Sequence, residues 1–273
     1  MKIAIEYGSR HNGIISRYSD RDLLLIHNGC KNSSEERIKF QLLGYDVTVM
    51  SEKKAIHLAK SGSLFLKHVI TEGKIINGEA SIYNNVNSEW RPKKDYQDEI
   101  DSNIDILDLL QTLPENKFSL LFVNDLLITS IRNIAIRKFA ADGVYVFAWE
   151  EIFKQLYSVG RINMNDIKIL LFSRKLKNAY RNRMYYSVHF EFIYKLFEIA
   201  KKIINFNGKI NFCNRKSIVL GLPDKLPERS YKQLRAYEIV CSFYQYNSDV
   251  RNLASMVSKP SYFSSGGIGN DCG

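Results

Sequence analysis

The segment from Ile3 to Ile26 constrains the chain most tightly. An apolar run, Ile3-Ala4-Ile5, leads into Glu6-Tyr7-Gly8-Ser9. Asp20-Arg21-Asp22 then leads into a second run, Leu23-Leu24-Leu25-Ile26. Two short apolar runs around a glycine-containing segment read as strands over 1–7 and 20–27, with a turn and short helix over 8–18. Alternate side chains of a strand share a face, so Asp20 and Asp22 are expected to point the same way. Two such carboxylates repel unless a cation stands between them. Hard oxygen ligands of this kind suit Mg²⁺, shared with substrate phosphates. A Gly-Ser turn that opens a helix offers backbone N–H groups and a positive dipole end to an anion. A phosphate site beside a metal site points to a nucleoside triphosphate.

Downstream, Ser33 or Ser34 can cap a helix over 35–43, with Gly44 in its C-terminal position. Tyr45 to Met50 reads as a third strand, with Tyr45, Val47 and Val49 on one face and Asp46, Thr48 and Met50 on the other. Asp46 has two readings: an exposed edge-strand residue, or a third acid facing Asp20 and Asp22 across neighbouring strands. The motif upstream favours the second. Ser51 can cap a helix through Lys60, and Ser63 another that ends at Gly73. Residues 74–78 read as a short strand and turn. Residues 79–94, rich in Asn and carrying Arg91-Pro92-Lys93-Lys94, read as a domain boundary.

From about 95 the apolar spacing becomes helical. Helices are expected from there to Pro114, over 118–141 (apolar around most of its circumference, hence buried), and over 149–157, 165–183, 187–205 and 228–245. A β-like segment falls at 217–220, and the tail from Ser258 reads as flexible. The expected organisation is α+β: a small mixed-sheet domain over 1–90, a helical domain over 91–257 and a tail over 258–273.

The 273 residues carry a net charge of +10. Residues 1–90 hold +2 of it and residues 91–273 hold +8. A basic second half attracts RNA or another polyanion; a Lys-rich solvated surface accounts for it equally well. Cys30, Cys213, Cys241 and Cys272 are scattered with no CxxC, so zinc is not expected and reduced thiols in a cytoplasm are. No apolar run of spanning length is read, and Met1-Lys2 leads straight into a strand. Neither a membrane partner nor a signal peptide is expected.

Gly8-Ser9, ten residues, then Asp20-x-Asp22, with Gly13 in the turn and Ser19 before the first aspartate, resembles the minimal nucleotidyltransferase domain of the DNA polymerase β-like superfamily. Ser63 to His68 with Glu72 to Ile76 is similar to the helix and strand that close this domain. The resemblance covers roughly residues 1–78. The helical remainder, including Lys177-Asn178-Ala179-Tyr180-Arg181, is more weakly similar to helical domains of antibiotic nucleotidyltransferases and toxin–antitoxin systems.

The resemblance implies Mg²⁺ (or Mn²⁺) held by Asp20, Asp22 and Asp46 as catalytic metal ligands. Gly8, Ser9, Arg10 and Ser19 would bind the nucleotide. Asp46 would help activate an acceptor hydroxyl. The implied reaction moves a nucleoside monophosphate from an NTP to that hydroxyl and releases pyrophosphate. The leading acceptor is a macromolecule, RNA or a protein side chain. The alternatives are a small antibiotic-type molecule, a nucleotide-signal synthase, or a non-catalytic antitoxin-like module. The active site is expected in the cleft between the domains. Arg21 and Arg17, set amid the acids, depart from the pattern.

Further candidates lie outside the motif. Arg174, Lys177 and Arg181 recur at i, i+3 and i+7, so they share a helix face that could contact acceptor or phosphate; a solvated face is the default. Lys175 and Arg183 extend the basic cluster. Tyr180, Tyr185 and Tyr186 stand near it as base-stacking candidates, with core packing favoured. Arg132 and Arg137 fall on the apolar helix, where a buried guanidinium requires an anionic partner. His11 lies in the phosphate turn. His57, His68 and His189 lack metal-like spacing and read as packing or surface residues.

Overall fold

The computed structural model describes residues 3–8, 21–27, 33–111, 113–114, 116–182, 184, 186–213 and positions 232, 235, 236, 238 and 239. The predicted turn and helix over 9–18, the β-like segment at 217–220, most of the helix over 228–245 and the tail lie outside these residues. The architecture is mixed α/β: helices and a four-stranded mixed sheet. The chain divides into two units. One comprises 3–95 with 139–148; the other comprises 96–138 with the described residues from 149 onward.

In the first unit, β1 (Ile3–Tyr7) pairs antiparallel with β2 (Arg21–His27). Next come α1 (Ser33–Leu42), β3 (Tyr45–Ser51), α2 (Glu52–Lys60), α3 (Leu64–Glu72), β4 (Lys74–Gly78) and α4 (Ala80–Glu89). The strand order is β3-β2-β1-β4. Strands β2 and β3 are parallel, with α1 as the crossover, and β4 is antiparallel to β1. The two central strands are buried on both faces, which is why each is a continuous apolar run rather than an alternating one. Leu23, Leu24, Leu25 and Ile26 are all buried. Ala4, Leu23, Leu25 and Val47 form one face, against which Phe40 of α1, Tyr45 and Val49 pack. The caps fall where the sequence places them. Ser51 Oγ accepts from the Lys54 N–H at 3.2 Å, and Ser63 Oγ from the Leu66 N–H at 3.4 Å. Gly44 ends α1 with φ +83°.

Residues 79–94, expected as a boundary, contain α4, and the first long segment of this unit ends directly after them at 95. The apolar content of α4 is sparse, but Ile82 and Val86 stand at i, i+4 and are buried. Tyr83 donates to the Ile70 carbonyl at 2.7 Å and Trp90 Nε1 to the Ser63 carbonyl at 3.1 Å, fastening α4 to α3.

The second unit contains α5 (Gln97–Asp105), which tightens into a 3₁₀ helix over Ile106–Gln111 where one longer helix was expected. It continues with β5 (Leu113–Pro114), α6 (Lys117–Ala141), α7 (Trp149–Ser158), α8 (Met164–Arg181), α9 (Phe190–Ile204) and β6 (Phe212–Cys213). β5 and β6 pair in parallel. Asn163 caps α8 reciprocally with Asp166. Lys138 of α6 donates to the carbonyls of Ile203 and Ile204, satisfying the C-terminal end of α9. Contrary to the reading that no spanning run exists, residues 118–141 are long and apolar enough to cross a membrane by length and composition, and 89% of the most apolar 18-residue stretch is buried inside the structure. That helix is not uniformly apolar inside: Ser119, Asn124, Asp125, Thr129, Ser130, Asn133 and Arg137 are buried along it.

Candidate active site

Directly opposed residues of paired strands present their side chains on one face. Tyr7 opposes Asp22, and Asp22 opposes Asp46. The three side chains therefore form a row across β1, β2 and β3, on the face opposite Leu23 and Val47. Adjacent strands stand about 4.8 Å apart, so the two carboxylates are immediate neighbours. Both residues are half-buried. β3 is an edge strand, and on it Asp46 stands half-buried directly beside Asp22.

Gly8 continues the row. It is buried, with φ +95°, and a Cβ built on it would stand 2.9 Å from Asp22 Oδ2. Glycine is required here twice over, by the backbone conformation and by the close approach of the carboxylate. Ser9, Arg10, Ser19 and Asp20 lie outside the described residues. Two adjacent carboxylates beside a glycine at positive φ fit Mg²⁺, which takes one or two protein carboxylates and leaves its remaining positions to water and phosphate. Among the described residues, no group of three or more His, Cys, Asp and Glu could hold a metal ion; Asp22 and Asp46 are two.

Arg21 points to the opposite face from Asp22. Its Nε stands 3.4 Å from Glu6 Oε1, its hydroxyl partner is Tyr45, and its guanidinium lies over the Tyr45 ring. Strand alternation thus removes Arg21 from the carboxylates although it adjoins Asp22 in sequence.

Behind the row, α3 fixes the end of β1. The Tyr7 ring meets Phe65 edge-on at 5.6 Å and His68 at 5.5 Å. His68 is buried, stacks on Phe147 with centroids 4.6 Å apart, and its Nε2 lies 3.0 Å from Glu72 Oε2. His68 is therefore a packing residue, as its sequence context suggested. Its role in holding Tyr7, and through it Gly8, was not read, although Glu72 four residues on was the available signal.

Arg174, Lys177 and Arg181 of α8 are paired within the second unit. Arg174 Nη1 donates to Glu150 Oε1 at 2.8 Å and its guanidinium lies over Trp149. Lys177 Nζ donates to Thr129 Oγ1 at 3.0 Å, and Arg181 Nε to Asp125 Oδ1 at 3.0 Å. Lys177 and Arg181 share a face, as their spacing implied, but that face looks into α6 rather than into solvent. Tyr180 is buried and donates to Glu238. Arg137 is buried and donates to the Asn133 carbonyl at 3.0 Å. Arg235 Nη1 lies 2.9 Å from Asp125 Oδ2 and 3.1 Å from Glu238 Oε2, with its guanidinium over the Phe122 ring. The cations around Asp125 outweigh its complete burial and hold its carboxyl down at about 2. Burial and the neighbouring Asp125 charge push Glu238 well above the usual carboxylate range. Burial and the adjacent guanidinium groups push Lys177 well below the usual ammonium range.

Comparison with protein-family models, with curated proteins and with solved structures finds no match to this chain.

Proposed function

We propose that the first unit is a nucleotidyltransferase domain of the polymerase β-like kind and that it transfers a nucleoside monophosphate from an NTP to a hydroxyl of a macromolecular acceptor. The single observation that carries this reading is the row of Gly8, Asp22 and Asp46. A glycine at positive φ lets one carboxylate approach the turn backbone, and a second carboxylate stands beside it in register.

In this reading, Asp22 and Asp46, with Asp20, would hold Mg²⁺, which would supply charge neutralisation on the triphosphate. The turn that begins at Gly8, with Ser9, presents its N–H groups to the phosphates. Asp46, on the open edge of the sheet, is reachable by an acceptor and takes its hydroxyl proton. Tyr7, pinned by Phe65 and His68, keeps the turn in place. Positioning and electrostatics then carry the catalysis, since phosphoryl chemistry asks for little else from the protein. The +8 charge of residues 91–273 favours a polyanionic or macromolecular acceptor over a polycationic drug.

The test is incubation with each α-labelled NTP and Mg²⁺, with and without total RNA and cell lysate, for the wild type and for Asp22→Asn with Asp46→Asn. Label in RNA or protein, lost in the double variant, supports the reading. Label that persists in the double variant, or no transfer under any condition, overturns it.

A further inference from the structure

We propose that the second unit binds single-stranded nucleic acid on the outer face of α8, with Phe172 and Tyr186 stacking bases and Lys168 and Lys175 meeting the backbone phosphates. The inference goes beyond the nucleotidyl-transfer reading and does not rest on it.

The face follows from helical spacing. Met164, Lys168, Leu171 and Lys175 recur at i, i+4, i+7 and i+11, so they fall on one stripe of α8, and Phe172 flanks it. All five are exposed, whereas Leu170, Ser173 and Leu176 on the inner side of the helix are buried. Apolar and basic side chains therefore alternate along a stripe that faces solvent. The Phe172 ring is held in place: it meets Phe192 of α9 edge-on with centroids 5.1 Å apart, and Tyr186 at 6.1 Å. Tyr186 is nevertheless 41% exposed and Leu171 42%. Rings that are already ordered by one another and still open to solvent lose little rotamer freedom when a ligand stacks on them.

Charge selects the occupant. Among the described residues, Lys168 and Lys175 make no ion pair. The carboxylate of α8, Asp166, is buried and closes the cap with Asn163. On α9, Glu191 is paired with Lys195. A stripe that carries lysines and no carboxylate attracts a polyanion and repels a second copy of itself. A lipid surface calls for apolar and basic side chains on separate faces, so that the apolar one can enter the acyl region. Here they are interleaved, with Lys168 between Met164 and Leu171. A single nucleic-acid strand matches the interleaving, because it offers phosphates to the ammonium groups and unpaired base faces to the rings. Lys168 and Lys175 stand two turns apart, about 10 Å along the axis, with Phe172 between them. Neither kind of contact reads a base edge, so the surface has no strong sequence preference.

The test is titration of the full chain into a short dye-labelled single-stranded RNA of mixed sequence, followed by fluorescence anisotropy at several salt concentrations. The wild type should bind the single strand, and bind the same sequence more weakly as a duplex, whose bases are already stacked. Lys168→Gln with Lys175→Gln should weaken single-strand binding about tenfold or more and lower the slope of log affinity against log salt by about 1.4, at about 0.7 for each phosphate contact. Phe172→Leu keeps an apolar side chain against Phe192, and should weaken binding about fivefold or more with that slope unchanged. Asp22→Asn with Asp46→Asn should bind RNA as the wild type does, so failure of this surface and failure of the sheet site give different patterns. No binding of the single strand, equal binding of the duplex, tighter binding of anionic vesicles than of RNA, or unchanged binding in the folded lysine and Phe172 variants overturns the proposal.

Discussion

The two units use carboxylates in opposite ways. On the sheet, Asp22 and Asp46 are placed side by side, half-buried, in one row with Tyr7 and close to Gly8. In the helical unit, Asp125 is wholly buried and gripped by two guanidinium groups at 2.9 and 3.0 Å. Two carboxylates set side by side within reach of solvent are the arrangement the proposed cation site calls for. A carboxylate matched by cations at short range is the arrangement of a structural tie. The contrast says where chemistry and where stability should fail under substitution.

The sharpest break should come at Asp125. Asp125→Ala leaves the Arg181 and Arg235 guanidinium groups without it in the interior, and should cost about 3–5 kcal/mol in chemical denaturation. Asp22→Asn keeps the shape of the sheet and removes one charge of the like pair. It should leave stability nearly unchanged or slightly raised, and lower transfer by roughly 10²–10³-fold. A reversal, with Asp22→Asn unfolding the protein and Asp125→Ala tolerated, would undo the comparison.

Gly8→Ala tests the approach of carboxylate to turn. The positive φ alone should cost about 1–2 kcal/mol, and the clash with Asp22 Oδ2 adds to it and shifts the carboxylate. Gly44→Ala is the matched control, because Gly44 has a similar φ of +83° but open space around it. It should show the backbone cost and full activity. Equal loss of activity in both would mean that crowding at Gly8 is irrelevant.

A smaller effect is expected in the pH dependence of stability. Asp125 has its folded value pulled below the unfolded one, so its contribution is present above about pH 4 and fades as the pH falls toward about 2. Glu238 is raised, so its contribution is present in acid and fades as the pH rises past the ordinary carboxylate value. Glu238→Gln should remove that second slope and stabilise the protein at neutral pH relative to the wild type, as followed by Tm across pH.

Much of the sheet unit was legible because its signals are local. Apolar runs, the caps Ser51 and Ser63, and the stops Gly44 and Gly73 act within a few residues. Strand alternation even placed Asp46 on the face away from Val47. The same alternation puts Arg21, which stands between the acids in sequence, on the other face with Glu6 and Tyr45. α4 was missed because Asn-rich composition hid two apolar residues at helical spacing. The polar seam of α6 was legible only in part, in the arginines of an apolar helix and the shared face of Lys177 and Arg181; its pairings were not. Asp125 finds Arg181 and Arg235 far along the chain, and no local periodicity announces a pairing of that kind.

The most direct measurement is of the metal itself. Mn²⁺ can be titrated into the full chain with ATP present and its free fraction followed by electron paramagnetic resonance. The account expects a tight, ATP-dependent Mn²⁺ site in the wild type that is weakened at least tenfold by Asp22→Asn and by Asp46→Asn and unaffected by Lys177→Met. Equal Mn²⁺ binding in the wild type and both aspartate variants would contradict it.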